Sequence, residues 1–146
     1  MNQHAKIIAR ELKKTHKTND VEEIASKYAF IQYGDLVNRI GMTLKINDCP
    51  VIIIDKKISK PKSLFVIAHE LGHILLHPFK NQSHMKRYTA LSVDKDEKAV
   101  NTFAFELLFG HLTADDYEDS YSITEFINEY DFEDEIVKCF ITTPFF

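Results

Sequence analysis

The sequence predicts an α+β fold, mostly helical, in a single domain with a small antiparallel sheet. Its 146 residues are enough for one hydrophobic core and short for two. Several segments repeat apolar residues at helical spacing, whereas residues 42–54 alternate and then become β-branched. No internal repeat, low-complexity tract or interdomain linker divides the chain. We therefore expect residues 1–146 to form one domain.

The first half of the chain is expected to supply two packing helices and a hairpin. Residues 3–15 have the pattern of a short amphipathic helix, and Asn19 or Asp20 is a candidate N-cap for a second one. Residues 42–46 alternate, Asn47 and Asp48 suit a tight turn, and residues 51–54 are a β-branched run. This pattern predicts a β-hairpin.

The second half is expected to be helical. Ser63 is the predicted cap of a strongly apolar helix that Pro78 stops, and a further helix is predicted from about residue 94 to residue 109, before Gly110. Residues 113–146 are predicted to form a small acidic tail of two short helices packed on the domain.

Composition excludes several classes of function. A net charge of −4 gives no indication of direct nucleic-acid binding. Cys49 and Cys139 have neither a CxxC nor a Cys/His ligand spacing, which argues against a disulfide scaffold or a zinc ribbon. The first residues lack the apolar core of a signal peptide, and no segment approaches the ~20 apolar residues of a membrane span. We expect a cytoplasmic protein with no membrane association.

The predicted helix around residues 64–76 is apolar on nearly every side, except for His69, Glu70 and His73. Burying such groups without partners costs roughly 1 to 3 kcal/mol each, and a divalent metal ion would offset that cost. His69 and His73 are one helical turn apart, so both imidazoles can bind one zinc ion. Glu70 then lies beside the ion, where a carboxylate can act as the general base of a metallopeptidase. The motif is HExxH.

A third ligand is expected on the following helix. Extending the apolar stripe of that helix one turn backward reaches Glu97, and Asn101 lies beside the same face. The amide of Asn101 can hydrogen-bond a ligand histidine, and His77 is expected to support the site without binding the ion, because it lies about 12 Å along the helix from His69. Two histidines and one carboxylate leave a fourth position open, as in catalytic zinc sites. The stripe comprises Val100, Phe103, Ala104, Leu107 and Leu108.

The segments FVIAHELGHILLH and EKAVNTFAFELL resemble the ImmA/IrrE family of zinc metallopeptidases. The resemblance covers about residues 20–140 and is strongest over residues 63–108. It implies a zincin-like domain with a gluzincin-like third ligand. Family members commonly end the second of these helices with Leu-Leu-Met-Pro, whereas this chain has Leu107, Leu108, Phe109 and Gly110. The departure changes a helix stop and a packing residue, and it leaves the ligands intact.

The resemblance also implies a regulatory endopeptidase of a phage, mobile element or stress response, which cleaves or inactivates a helix-turn-helix repressor. Tyr88, His84 and His111 are candidate donors to the oxyanion of the reaction. Three alternatives stay open: a non-proteolytic anti-repressor with a zinc site, a zinc hydrolase of small molecules, and a structural HExxH helix without metal.

Overall fold

The structure, a computed structural model, describes residues 3–76, 82–85 and 95–110, with side chains for residues 3–76 and 99–110. These residues form an α+β unit, as predicted. Its elements are α1 (Gln3–His16), α2 (Val21–Ser26), β1 (Phe30–Gly34), β2 (Gly41–Ile46), β3 (Cys49–Asp55), α3 (Lys60–Leu76), β4 (Gln82–Met85) and α4 (Lys95–Phe109). The predicted acidic tail, residues 113–146, lies outside the described residues.

The sheet has the strand order β1-β3-β2-β4. The predicted hairpin is confirmed: β2 and β3 pair antiparallel, with Ile46 opposite Cys49 across a two-residue turn. Asn47 and Asp48 have φ angles of 52° and 65°, which is the left-handed backbone that such turns require.

The expectation of a purely antiparallel sheet is wrong, because β1 pairs with β3 in parallel. The sheet is therefore mixed. The sequence did not predict β1 because this edge strand shows no alternation: Phe30, Gln32 and Tyr33 are all exposed. Backbone pairing to β3, rather than a buried side-chain face, holds it in place.

The helix α3 begins four residues earlier than predicted. Its first residue is Lys60, and the Ser59 hydroxyl accepts a hydrogen bond from the Lys62 backbone N–H at 3.3 Å. Ser63, the predicted cap, instead lies in the first turn, where its hydroxyl donates to the Lys60 carbonyl at 2.7 Å. Pro61 is tolerated there, because a first-turn N–H has no partner within the helix. Of the two candidate caps for α2, Asn19 and Asp20, the structure has Asp20, whose side chain accepts from the Glu23 backbone N–H at 3.1 Å.

The core lies on both sides of α3. One side of the helix packs on β2 and β3, and the other packs on α4, which is covered in turn by α1. The predicted stripe of α4 is buried throughout, and Phe105 and Phe109 are buried as well, so α4 is enclosed on nearly all sides. Within the described ranges, none of the helices combines the length and apolar character needed to cross a lipid bilayer.

Polar contacts attach α1 to the end of α4. Arg10 Nε pairs with Glu106 Oε2 at 3.1 Å, and Lys13 Nζ donates to the Glu106 carbonyl at 2.8 Å. Burial lowers the pKa of Lys13 from 10.5 to about 8, against the attraction of Glu106, which raises it.

The lowered pKa of Lys13 predicts a rise in stability with pH. Between about pH 8 and 10.5 the unfolded chain keeps a lysine proton that the folded chain has lost, so the free energy of unfolding increases across this window. We expect wild type to gain on the order of 1 kcal/mol relative to Lys13→Met between pH 7.5 and 9.5, measured by urea unfolding. The control is Lys14→Met, which removes an exposed charge from the same helix. An identical pH-dependent difference for both variants would contradict the assignment to Lys13.

Gly41 allows β2 to approach α3. A Cβ built at this position collides with Val66 Cγ1. Gly41→Ala is therefore expected to lower the free energy of unfolding by about 1–3 kcal/mol, as overpacking does. Gly34→Ala in β1 is the matched control, because a Cβ there meets nothing within 4 Å. Its expected effect is a change below ~1 kcal/mol, in the stabilising direction. Equal losses in the two variants, measured by chemical denaturation, would show that clearance at Gly41 is not what matters.

Candidate metal centre

Two imidazoles face each other on the buried side of α3. His69 and His73 are both buried, and their Nε2 atoms are 3.2 Å apart. The ring centroids are 4.9 Å apart with the planes inclined at 67°. The structure thus brings together the two histidines that the sequence placed on successive turns.

The tautomer of His69 follows from its neighbour on α4. His69 Nδ1 lies 2.8 Å from Asn101 Oδ1, and both residues are buried. A carbonyl oxygen only accepts hydrogen bonds, so Nδ1 carries the proton and Nε2 presents a lone pair towards His73. This is the contact expected of Asn101 from the sequence, and it orients the ring as outer partners do in metal sites.

The separation of the two Nε2 atoms fits a shared ion. Two nitrogens that bind one tetrahedral ion at about 2.0 to 2.1 Å lie about 3.3 to 3.4 Å apart. The observed 3.2 Å needs almost no adjustment. The pair is therefore arranged to bind a divalent metal with little reorganisation.

Glu70 lies beside the histidine pair and is fully buried. The hydroxyl of Thr43, on β2, donates to Glu70 Oε1 at 2.6 Å. Thr43 is not among the site residues predicted from the sequence. The alternation of residues 42–46 predicted a strand, but nothing local to that strand showed that Thr43 packs against the turn of α3 that carries Glu70.

Gly72 brings α4 close to the histidine pair. A Cβ built on it lies 3.0 Å from Phe103 Cδ1 and 3.1 Å from Val100 Cγ1, closer than ordinary side-chain contacts. A larger residue would push the two helices apart. The 2.8 Å contact of His69 with Asn101 depends on this close approach.

The backbone of Glu97 lies in α4, one turn before Asn101. Val100 and Asn101 contact α3, and Glu97 is three and four residues away from them, so helical periodicity puts Glu97 on the same face. The structure does not describe the side chain of Glu97. Among the side chains that are described, no group of three or more His, Cys, Asp or Glu residues could hold a metal. Glu97 as the third ligand stays a prediction.

The remaining predicted site residues are not placed by the structure. His77, Tyr88 and His111 lie outside the described residues, and His84 lies in β4, whose side chains are not described. Their suggested roles, support of the site for His77 and oxyanion donation for the other three, stay predictions.

Comparison with known proteins identifies the family of this chain. The family model of the IrrE N-terminal-like domain, Peptidase_M78, matches residues 32–133, which is well over half of the chain. Over 98 residues the chain is 36% identical to metallopeptidase ImmA of Bacillus subtilis (strain 168), covering 65% of this chain and 57% of that protein. Over 69 residues it is 42% identical to uncharacterized immunity region protein 2 of Bacillus phage phi105, covering 47% of this chain and 44% of that protein.

The matched region thus spans about half the length of these curated relatives. The match over residues 32–133 establishes that this chain belongs to the ImmA/IrrE family, the family of the IrrE N-terminal-like domain.

Proposed function

We propose that this protein is a zinc-dependent endopeptidase with a zincin-like arrangement of its sheet and of α3 and α4. The observation that carries the proposal is the buried pair of Nε2 atoms 3.2 Å apart, on the same helix as the buried Glu70, which directly follows His69. Membership of a family named for its peptidases supports the reaction class. Burying an imidazole pair and a carboxylate in one helical turn destabilises the fold. A functional site is the usual reason that such an arrangement is kept.

His69, His73 and Glu97 would hold the ion, with Asn101 fixing the ring of His69. Two neutral nitrogens and one carboxylate favour zinc among the common divalent ions and leave a coordination position open. When bound, zinc supplies Lewis-acid polarisation of the scissile carbonyl and lowers the pKa of the attacking water.

Glu70 is the proposed general base and acid. Its carboxylate takes one proton from the attacking water as the water oxygen bonds to the carbonyl carbon. The same proton is then delivered to the amine nitrogen as the peptide C–N bond breaks, which returns Glu70 to its ionised form. An oxyanion donor is still required, and Tyr88, His84 and His111 are the candidates.

A helix-turn-helix repressor is the proposed substrate. One relative is named as a phage immunity region protein and another as metallopeptidase ImmA. A phage immunity region suggests control of gene expression, and the family resemblance points to cleavage or inactivation of a repressor. The proposed site of action is the cytoplasm, because a DNA-bound repressor is found there. No direct contact of this protein with DNA is proposed.

The prediction for Glu97 concerns metal content. Glu97→Ala and Glu97→Gln are expected to lose most of the approximately one zinc per chain that wild type should bind, because each removes an anionic ligand. The control is Asp96→Ala, which removes the neighbouring acid of α4 and leaves Glu97 in place. Elemental analysis after gel filtration measures zinc, and added chelator should lower the melting temperatures of wild type and Asp96→Ala but not those of the two Glu97 variants. A wild type that takes up no zinc would refute the proposed site.

The prediction for Glu70 separates cleavage from binding. Glu70→Gln keeps the size of the side chain and an oxygen that can accept from Thr43, so zinc content should be unchanged. Cleavage should fall by about 10²- to 10⁴-fold, the usual contribution of a general base. The assay incubates the helix-turn-helix repressor of the same genetic element with zinc-loaded protein and follows its fragments by mass spectrometry and its release from DNA by fluorescence anisotropy. Full release of uncut repressor by Glu70→Gln would instead identify a non-proteolytic anti-repressor.

A further inference from the structure

Two residues of β2, Gly41 and Thr43, face the side chain of Glu70. Gly41 and Thr43 are two residues apart, so they lie on the same face of the strand, and both are buried. A Cβ built on Gly41 lies 3.7 Å from Glu70 Cγ. The methylene part of the Glu70 side chain therefore lies across the bare backbone of Gly41, and its carboxylate reaches Thr43.

The contact with Thr43 is short and enclosed. The hydroxyl donates to Glu70 Oε1 at 2.6 Å, within the range of a hydroxyl bound to a carboxylate. Both side chains are almost completely buried, with 4% of Thr43 and none of Glu70 exposed. Because both side chains are buried, bulk solvent competes little for this hydrogen bond, and its direction restricts rotation of the carboxylate.

The donor itself is held rigidly. Thr43 is opposite Ile52 of β3 and Gln82 of β4, so the strand that carries it is paired on both edges. Threonine is branched at Cβ, which limits rotation about χ1. The hydroxyl thus has a position fixed by the sheet, independent of the helix that carries Glu70.

We propose that Thr43 is a positioning residue: its hydroxyl, with the clearance at Gly41, holds the Glu70 carboxylate in the orientation needed for proton transfer. This inference rests on the proposed peptidase function. A general base must lie within hydrogen-bond reach of the proton it takes, and a displacement of about 1 Å costs up to about 10²-fold in rate. Thr43 acts through Glu70, to which its hydroxyl donates.

The test compares Thr43→Val, which replaces the hydroxyl by a methyl group of similar size, with Thr43→Ser, which keeps the hydroxyl and removes a methyl group. Zinc-loaded proteins are assayed on the fluorogenic peptide that wild type cleaves fastest in a random library. We expect kcat of Thr43→Val to fall about 10- to 100-fold with KM within about threefold, and Thr43→Ser to stay within about threefold of wild type.

A second measurement does not depend on turnover. Acetohydroxamate binds zinc through its two oxygens and hydrogen-bonds to an adjacent carboxylate, so its affinity reports the position of Glu70. Calorimetry should show about tenfold weaker binding to Thr43→Val and unchanged binding to Thr43→Ser. Zinc content should be equal in all three proteins, and melting temperatures identify any loss of folding.

The outcomes separate the two proposals. If wild type binds zinc and acetohydroxamate and Thr43→Val matches it, positioning by Thr43 is wrong while the metal site stands. If Thr43→Ser loses as much as Thr43→Val, packing of the methyl group, rather than the hydroxyl, is responsible, and the inference is overturned. If wild type cleaves no peptide, the acetohydroxamate affinities decide the role of Thr43 by themselves. A wild type that binds neither zinc nor acetohydroxamate refutes the peptidase function and the inference together.

Discussion

The burial of three polar side chains in one turn of an apolar helix constrains the rest of the structure. His69, Glu70 and His73 are buried in the same stretch of α3 whose apolar residues form the core. Each of them would destabilise the fold if left without a partner. The neighbouring elements supply those partners from different directions: α4 provides Asn101 for His69, and β2 provides Thr43 for Glu70. The neighbouring elements are therefore placed so that the polar side chains of this turn have hydrogen-bond partners.

Two glycines make that arrangement sterically possible. Gly41 lets β2 lie against α3, and Gly72 lets α4 lie against the other side of the same helix. In both places an added methyl group meets a neighbouring side chain at less than the usual contact distance. Close approach matters because hydrogen bonds of 2.6 and 2.8 Å tolerate little displacement. The close packing at the two glycines and the hydrogen bonds of Glu70 and His69 therefore depend on each other.

The consequence for function is preorganisation. The imidazoles are already separated by nearly the distance that a tetrahedral ion imposes, and the carboxylate beside them is already oriented. For the proposed function, a site held in this way by a sheet and two helices would need little reorganisation on binding an ion or a substrate. The same rigidity explains why residues remote from the reacting atoms, such as Thr43 and Gly72, bear on the proposed activity.

The sequence by itself determined the elements whose signals are local. Helical spacing predicted α1, α3 and α4, the Asn47-Asp48 turn predicted the hairpin, and the HExxH pattern placed His69, Glu70 and His73 on one helical surface. These succeed because periodicity, turn chemistry and capping act over a few residues. Even here the start of α3 was misplaced, because Ser59 and Ser63 are both acceptable caps and local chemistry alone did not distinguish them.

Only the tertiary structure decided the parallel pairing of β1, the contact of Thr43 with Glu70 and the clearances at Gly41 and Gly72. Each joins residues distant in sequence, and none leaves a periodic trace in the chain. An exposed edge strand needs no apolar alternation, a threonine in a strand looks the same whether or not a carboxylate lies above it, and a glycine shows its purpose only when the neighbouring helix is in place.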